Sequence, residues 1–158
     1  MDAMHAVEAS GVGRWMRESM WAFPIVETVH IVGFALLVGS IVALDLRLTG
    51  LARRIPITRL ASFIVPLAFA GFLVALPAGL LMFTAHTADY LGNAVFMLKM
   101  GLILAAGANA AWLHTGPLAQ AAGFDVDAMP PAAVRVAAVV SIAIWIGVIA
   151  CGRLLAYT

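Results

Sequence analysis

An acid and a histidine lie close together inside a long apolar stretch near the start of the chain. Glu27 and His30 are three residues apart, so a helix would place both side chains on one face. An ionisable side chain inside a bilayer is costly and therefore requires a partner or a use. We interpret His30 as a functional residue because it lies well inside the apolar stretch and has an acid one turn away.

Further polar side chains are expected at the same end of the protein. Lys99 enters the third apolar stretch, Arg153 lies near the end of the fourth, and His86 follows the second. A histidine can ligate haem iron, and cations can bind the propionates of a haem. We therefore predict a b-type haem with His30 as an axial ligand and with Lys99 and Arg153 near the propionates. His86 is the first choice for the second ligand, although helix rise places it about 10 Å nearer the outer surface than His30. A Met ligand or an open position are the alternatives.

A second set of polar residues is expected at the opposite end. Asp45 ends the first stretch, Asn109 lies inside the third, and His114 closes it. His114 should be too far away to share an iron with His30, so it would serve a separate haem or none.

Simpler interpretations of the same polar residues remain open. Glu27 could form a buried ion pair with Lys99 or Arg153 that fixes the helix register. Asp45 and Arg47 could be purely structural, as is common at a membrane boundary, and His86 could be a solvent-exposed loop residue.

Four apolar runs of about 20 residues each are long enough to cross the hydrocarbon core of a membrane. They cover residues 21–44, 61–85, 94–114 and 133–156, and residues 9–20 are typical of a short interfacial helix. The second run contains Pro66 and Pro77, so a bent helix is expected there. We predict one all-α transmembrane domain over residues 1–158, an integral membrane four-helix bundle with a short N-terminal interfacial helix.

The distribution of arginine predicts the orientation. The first connection contains Arg47, Arg53, Arg54 and Arg59, whereas the second connection, residues 86–93, has neither Arg nor Lys. Positively charged connections remain in the cytoplasm, so the first connection should be inside and both termini should be periplasmic.

Composition excludes several classes of protein. Hydrophobic residues make up 64% of the chain, charged residues 11%, and the mean hydropathy is +1.05. A soluble domain has about twice that charged fraction. With a formal net charge of +1 and no basic patch, nucleic acid is not an expected partner. The single cysteine, Cys151, excludes a CxxCH site for covalent haem. No nucleophile–base or HExxH motif indicates catalysis, so enzymatic activity stays undecided.

Several motifs resemble those of a family of uncharacterised bacterial four-helix membrane proteins. The resembling segments are Glu27-Thr28-Val29-His30-Ile31-Val32-Gly33, Gly39-Ser40, Asp45-Leu46-Arg47, Asn109-Ala110-Ala111-Trp112-Leu113-His114 and Gly152-Arg153-Leu154-Leu155-Ala156-Tyr157, together with Lys99. The resemblance covers most of the chain and implies a multi-pass protein of the bacterial inner membrane. It also implies that Glu27, His30, Lys99, Asn109, His114 and Arg153 belong to the family pattern, which His86 does not match. In size and helix count the chain is loosely similar to four-helix b-type cytochromes.

Three functions are compatible with these residues. The first is electron transfer near the outer membrane face, with the haem exchanging electrons with a quinone or a periplasmic redox protein. The second is a proton- or metal-linked transport component in which Glu27, His30 and Lys99 form a relay. The third is a non-catalytic accessory subunit of a larger membrane complex. Faces of small residues on the third and fourth helices favour a homo-oligomer or a larger assembly.

Overall fold

The computed structural model describes residues 3–157, apart from the side chains of residues 3 and 119–122. All regular elements in this part of the chain are helical. In chain order they are α1 (Ala3–Glu8), α2 (Gly11–Glu18), α3 (Ala22–Leu48), α4 (Ile57–Ala85), α5 (Thr87–Gly92), α6 (Ala94–Thr115), a 3₁₀ segment (Pro117–Phe124) and α7 (Ala132–Leu154).

Four of these helices, α3, α4, α6 and α7, are long and apolar enough to cross a membrane. The prediction of an all-α membrane protein with four spanning helices is confirmed. Helix α3 continues past the predicted end at residue 44, and α4 begins before residue 61. Helix α4 is continuous across Pro66 and Pro77, although each proline lacks the N–H of a normal helical hydrogen bond.

Two glycines allow α3 and α4 to approach each other closely. A Cβ atom on Gly33 would lie 2.7 Å from the backbone nitrogen of Ala75, and one on Gly71 would lie 2.6 Å from that of Leu37. No larger residue fits at either position unless the backbones separate. Small residues at a helix crossing bring the backbones into contact, as is common between helices in membranes.

Helix α3 is the central element, since it packs against α4 on one side and against α7 on another. Helix α7 in turn packs against α6. The middle of the bundle is closed by an apolar cluster from α3, α6 and α7, which contains Leu37, Val38, Ala106, Trp145 and Val148. The fold therefore consists of two helical hairpins, α3–α4 and α6–α7, joined where α3 meets α7.

We call the end of the bundle that carries the connection of residues 49–56 the inner end, in accordance with the predicted orientation. Arg47 is buried there and donates to the carbonyl oxygens of Ile55 at 2.7 Å, Arg53 at 3.1 Å and Asp125 at 2.9 Å. The carboxylate of Asp125 accepts from the backbone N–H of Thr58 at 2.8 Å, at the start of α4. The connection after α6 is thus fixed over the inner end of α3 and α4.

The outer end carries the connection of residues 86–93 and is covered by α1 and α2. Arg17 donates to the carbonyl oxygen of Ala85 at 2.9 Å and to that of Glu8 at 2.7 Å. The Glu8 carboxylate accepts from the backbone N–H of Ala88 at 2.8 Å, and this hydrogen bond holds the pKa of Glu8 below its ordinary value. Helix α1 was not predicted, whereas α2 lies within the expected interfacial segment of residues 9–20.

Candidate functional site

His30 is held against α4 by one hydrogen bond, and Gly79 leaves space on α4 for its imidazole ring. Its Nδ1 lies 2.8 Å from the carbonyl oxygen of Ala75. A carbonyl oxygen can only accept, so Nδ1 carries the hydrogen and donates. A Cβ atom on Gly79 would lie 3.0 Å from Cε1 of the imidazole ring, closer than an ordinary contact. The ring therefore lies directly over Gly79 in a cradle that a larger residue would fill.

This hydrogen bond determines which nitrogen of His30 is free to react. With the hydrogen on Nδ1, the neutral ring has its lone pair on Nε2. In the described part of the chain, Nε2 has no hydrogen-bond partner. Metal-ligating histidines commonly donate their other ring N–H to a backbone carbonyl in this way, which fixes the tautomer and raises the basicity of the ligand nitrogen.

Aromatic side chains link His30 to α7. The ring of Phe34, one turn further along α3, stacks on the imidazole with a centroid separation of 6.2 Å. Phe34 also makes an edge contact with the buried ring of Trp145 at 6.0 Å. The imidazole plane is thus restrained by a ring on its own helix, which is itself fixed against α7.

Lys99 is a half-buried cation on α6 next to α7. Its Nζ would lie 3.7 Å from a Cβ atom on Gly152, so the ammonium group is placed over a position without a side chain. It is also within electrostatic reach of His30. Among the described residues no carboxylate lies within ion-pair distance of Lys99. A half-buried ammonium group without a counter-ion is suited to binding an anion.

The ion pair between Glu27 and Lys99 or Arg153, one of the simpler interpretations, does not form in the described part of the chain. Glu27 is exposed, one turn outward from His30, and acts at longer range on His30 and Tyr90. Arg153 is also exposed. Its guanidinium group stacks over the ring of Tyr157 at 4.7 Å and hydrogen-bonds to the phenol oxygen.

His86 lies at the outer end of α4, away from His30. Its ring contacts Phe23 at 6.3 Å, and its Nδ1 lies 3.5 Å from a carboxylate oxygen of Asp89. His86 follows Gly79, which touches His30, by seven residues, a helix rise of about 10 Å. The structure therefore does not bring the two predicted ligands together.

The outer surface around His86 contains a shallow cavity of about 430 Å³. His86, Asp89 and Tyr90 line it together with Gly92, Asn93 and Leu155. Burial raises the pKa of the Tyr90 phenol, and the negative charges of Glu27 and Asp89 add to that effect.

The inner polar residues do not converge on one site. His114 is exposed, and its Nδ1 donates to the carbonyl oxygen of Ala110 on its own helix at 2.8 Å. Asn109 donates to the carbonyl oxygen of Ala137 at 3.2 Å and so links α6 to α7. Asp45 is buried near Ser141, a residue that the sequence did not single out. No group of three or more His, Cys, Asp and Glu side chains is arranged to hold a metal ion within the described ranges.

The sequence also did not indicate which positions on α4 contact His30. Gly71, Ala75 and Gly79 recur every four residues and therefore share one face of α4. This spacing could have indicated where another helix makes backbone contact. It could not have identified His30 as the side chain lying against that face.

Residues 12–158 match a family described as "Family of unknown function (DUF6644)". Because the match covers nearly the whole sequence, the chain belongs to this family. Neither a curated protein nor a solved structure matches the chain.

Proposed function

We propose that this member of a family of unknown function is a b-type haem protein that transfers electrons in the outer half of the bundle. The observation that carries the proposal is the state of His30: its Nδ1 donates to the Ala75 carbonyl oxygen, and its Nε2 has a free lone pair among the described residues. A haem requires only one or two protein ligands, because the porphyrin supplies the remaining four.

The environment of His30 suits an axial ligand. Gly79 and Ala75 fix the ring from the α4 side, and Phe34 restrains its plane. An imidazole held in this way does not have to be reorganised when it binds iron. The haem supplies an iron that gains and loses one electron, while the surrounding helices tune its potential through polarity and hydrogen bonding.

Two cations in the outer half could bind the haem propionates. Lys99 has no anionic partner in the described structure, and Arg153 lies next to Gly152, over which the Lys99 ammonium is placed. Charge-assisted hydrogen bonds from these groups would anchor the carboxylates. We assign Lys99 the larger role, because it is half-buried whereas Arg153 is exposed.

We assign only the first axial ligand. His86 is about 10 Å further out by helix rise and would require a rearrangement of residues 86–93 to reach the same iron. The alternatives for the second position are a Met side chain or an open coordination position.

A haem in this position would exchange electrons with a partner near the outer membrane surface. The candidate partners are a quinone in the bilayer or a redox protein on the periplasmic side. Helix α6 leaves Gly101, Ala105 and Ala108 exposed on one face, which favours close packing of another membrane helix. A homo-oligomer or a larger membrane complex is therefore part of the proposal.

Titration with haem tests the ligand assignment. Protein purified from haem-depleted cells should bind added haem, and His30→Ala should weaken binding by at least tenfold. His114→Ala is the matched control: its Nδ1 makes the same kind of hydrogen bond, but its ring is exposed and has no described aromatic neighbour, so this variant should bind haem as wild type does. Equal affinity in His30→Ala and wild type would contradict the assignment. A protein that binds no haem, but whose folded His30→Ala variant loses proton-coupled uptake, would support the transport function instead.

A further inference from the structure

A buried acid near the inner end of the bundle has no role in the proposed haem site. Asp45 is only 4% exposed, in the last turn of α3. Ser141 on α7, itself 6% exposed, has its hydroxyl group beside the Asp45 carboxyl group. The second carboxyl oxygen, Oδ2, is buried and has no hydrogen-bond partner.

No described positive charge compensates this acid. Arg47, two residues further along α3, directs its guanidinium group to loop carbonyl oxygens, and its electrostatic neighbours are Asp125, Asp127 and Arg53. The charged or titratable side chains near the inner ends of the neighbouring helices are exposed: Arg59 on α4, His114 on α6 and Arg135 on α7. None of them acts appreciably on Asp45.

A carboxylate in these surroundings would be unfavourable. Removing a charge from water costs several kcal/mol unless a counter-ion and hydrogen bonds replace the lost hydration. Asp45 has one hydroxyl neighbour and an oxygen without a partner. Addition of a proton removes the charge and supplies an O–H donor, for which the Ser141 oxygen is an available acceptor.

We propose that Asp45 and Ser141 form a proton-binding site, in which the Asp45 carboxyl group holds a proton at neutral pH and is hydrogen-bonded to Ser141. The proton comes from water of the adjacent aqueous phase, adds to one carboxylate oxygen, and returns to water when it leaves. Ser141 keeps its own proton, and no bond other than the carboxyl O–H forms or breaks.

A proton suits this site better than a metal cation. Hard cations such as Ca²⁺ and Mg²⁺ require about six oxygen ligands. Here the side-chain oxygens come from Asp45 and Ser141. The nearby Asn109 uses its amide to donate to the Ala137 carbonyl oxygen, one turn before Ser141 on α7.

The proton site is independent of the haem site. Asp45 and His30 are fifteen residues apart on α3, about 22 Å of helix rise. Failure of haem binding would therefore leave the assignment of Asp45 intact, and the reverse also holds.

Infrared spectroscopy of the full chain in nanodiscs at neutral pH tests the proposal. Wild type should show the carbonyl stretch of a protonated carboxylic acid, which moves to lower frequency in D₂O. Asp45→Asn should lose this band. The exposed Asp89→Asn is the matched control and should retain it.

Ser141→Ala provides the second variant, should Asp45→Asn fail to fold. It should keep the band but shift it to higher frequency, because the hydrogen bond to the carboxyl group is lost. An absent band in wild type, or a band unchanged in Asp45→Asn, would overturn the proposal. Thermal stabilisation of wild type by sodium ions, absent in Asp45→Asn, would also overturn it in favour of a cation site.

Discussion

At the scale of single residues, Arg47 shows how a cation can be buried without an ion pair. It is 2% exposed, and three backbone carbonyl oxygens from two connections accept its hydrogen bonds. The sequence indicated only a structural residue at a membrane boundary. Its partners could not be predicted, because carbonyl acceptors in loops have no sequence signature.

Removal of this side chain should destabilise the fold. Arg47→Leu would remove three hydrogen bonds, and the carbonyl oxygen of Ile55 would lose its donor whereas those of Arg53 and Asp125 would keep a backbone N–H, at a cost of about 3 kcal/mol. Denaturation in detergent measures the free energy of unfolding. The exposed Arg135→Leu should change it by no more than about 0.5 kcal/mol. Equal effects of the two substitutions would show that the Arg47 hydrogen bonds do not hold the connections together.

Substitution of Lys99 should change the stability of the fold and the affinity for haem in different ways. Lys99→Met removes a half-buried charge without a described counter-ion, so the fold should be as stable as wild type or more so. The dissociation constant for haem should rise about tenfold, equivalent to about 1.4 kcal/mol, because a propionate loses its cation. Calorimetry and haem titration measure the two effects. Arg14→Met on α2 is the control, and unchanged haem affinity in Lys99→Met would exclude Lys99 from the site.

At the scale of the helices, the crossing of α3 and α4 positions His30. The Ala75 carbonyl oxygen reaches Nδ1 only because Gly33 and Gly71 allow backbone contact. Hydropathy predicted both helices, since apolar length alone determines a membrane span. The rotation of one helix against the other depends on packing between residues far apart in the sequence, such as Gly33 and Ala75, so the partners of His30 were not predictable from local spacing.

A single methyl group should disturb this crossing. Gly33→Ala would place Cβ 2.7 Å from the Ala75 backbone nitrogen, which should cost about 1–3 kcal/mol and weaken haem binding by moving the Ala75 carbonyl. Gly39→Ala on the same helix is the matched control, since nothing lies within 4 Å of its Cβ position. Denaturation and haem titration of both variants measure the effects. If Gly33→Ala behaves like Gly39→Ala, the close crossing does not position His30.

Helix-rise arithmetic predicted the position of His86 along the bundle, but it did not predict what this residue does. The offset of about 10 Å from His30 was expected from helix rise, and the contact of His86 with Phe23 is compatible with that separation. The buried pairing of Asp45 with Ser141 could not be expected, because serine is common on membrane helices and its register opposite α3 is a tertiary property.

At the scale of the whole molecule, the predicted orientation places the His30 site on the periplasmic side. In a Cys151→Ser background, a cysteine at Asp89 should react with a membrane-impermeant maleimide in intact cells. A cysteine at Arg54 should react only after permeabilisation, because the arginine-rich connection should remain in the cytoplasm. The reverse labelling pattern would place the site on the cytoplasmic side and exclude a periplasmic redox partner.

The most direct test of haem binding is the optical spectrum of protein purified from haem-replete cells, recorded oxidised and then reduced with dithionite. We predict a Soret band and sharp reduced α and β bands in wild type, all lost in a folded His30→Ala variant. A featureless wild-type spectrum, or the same bands in His30→Ala, would contradict the assignment of His30 as the haem ligand.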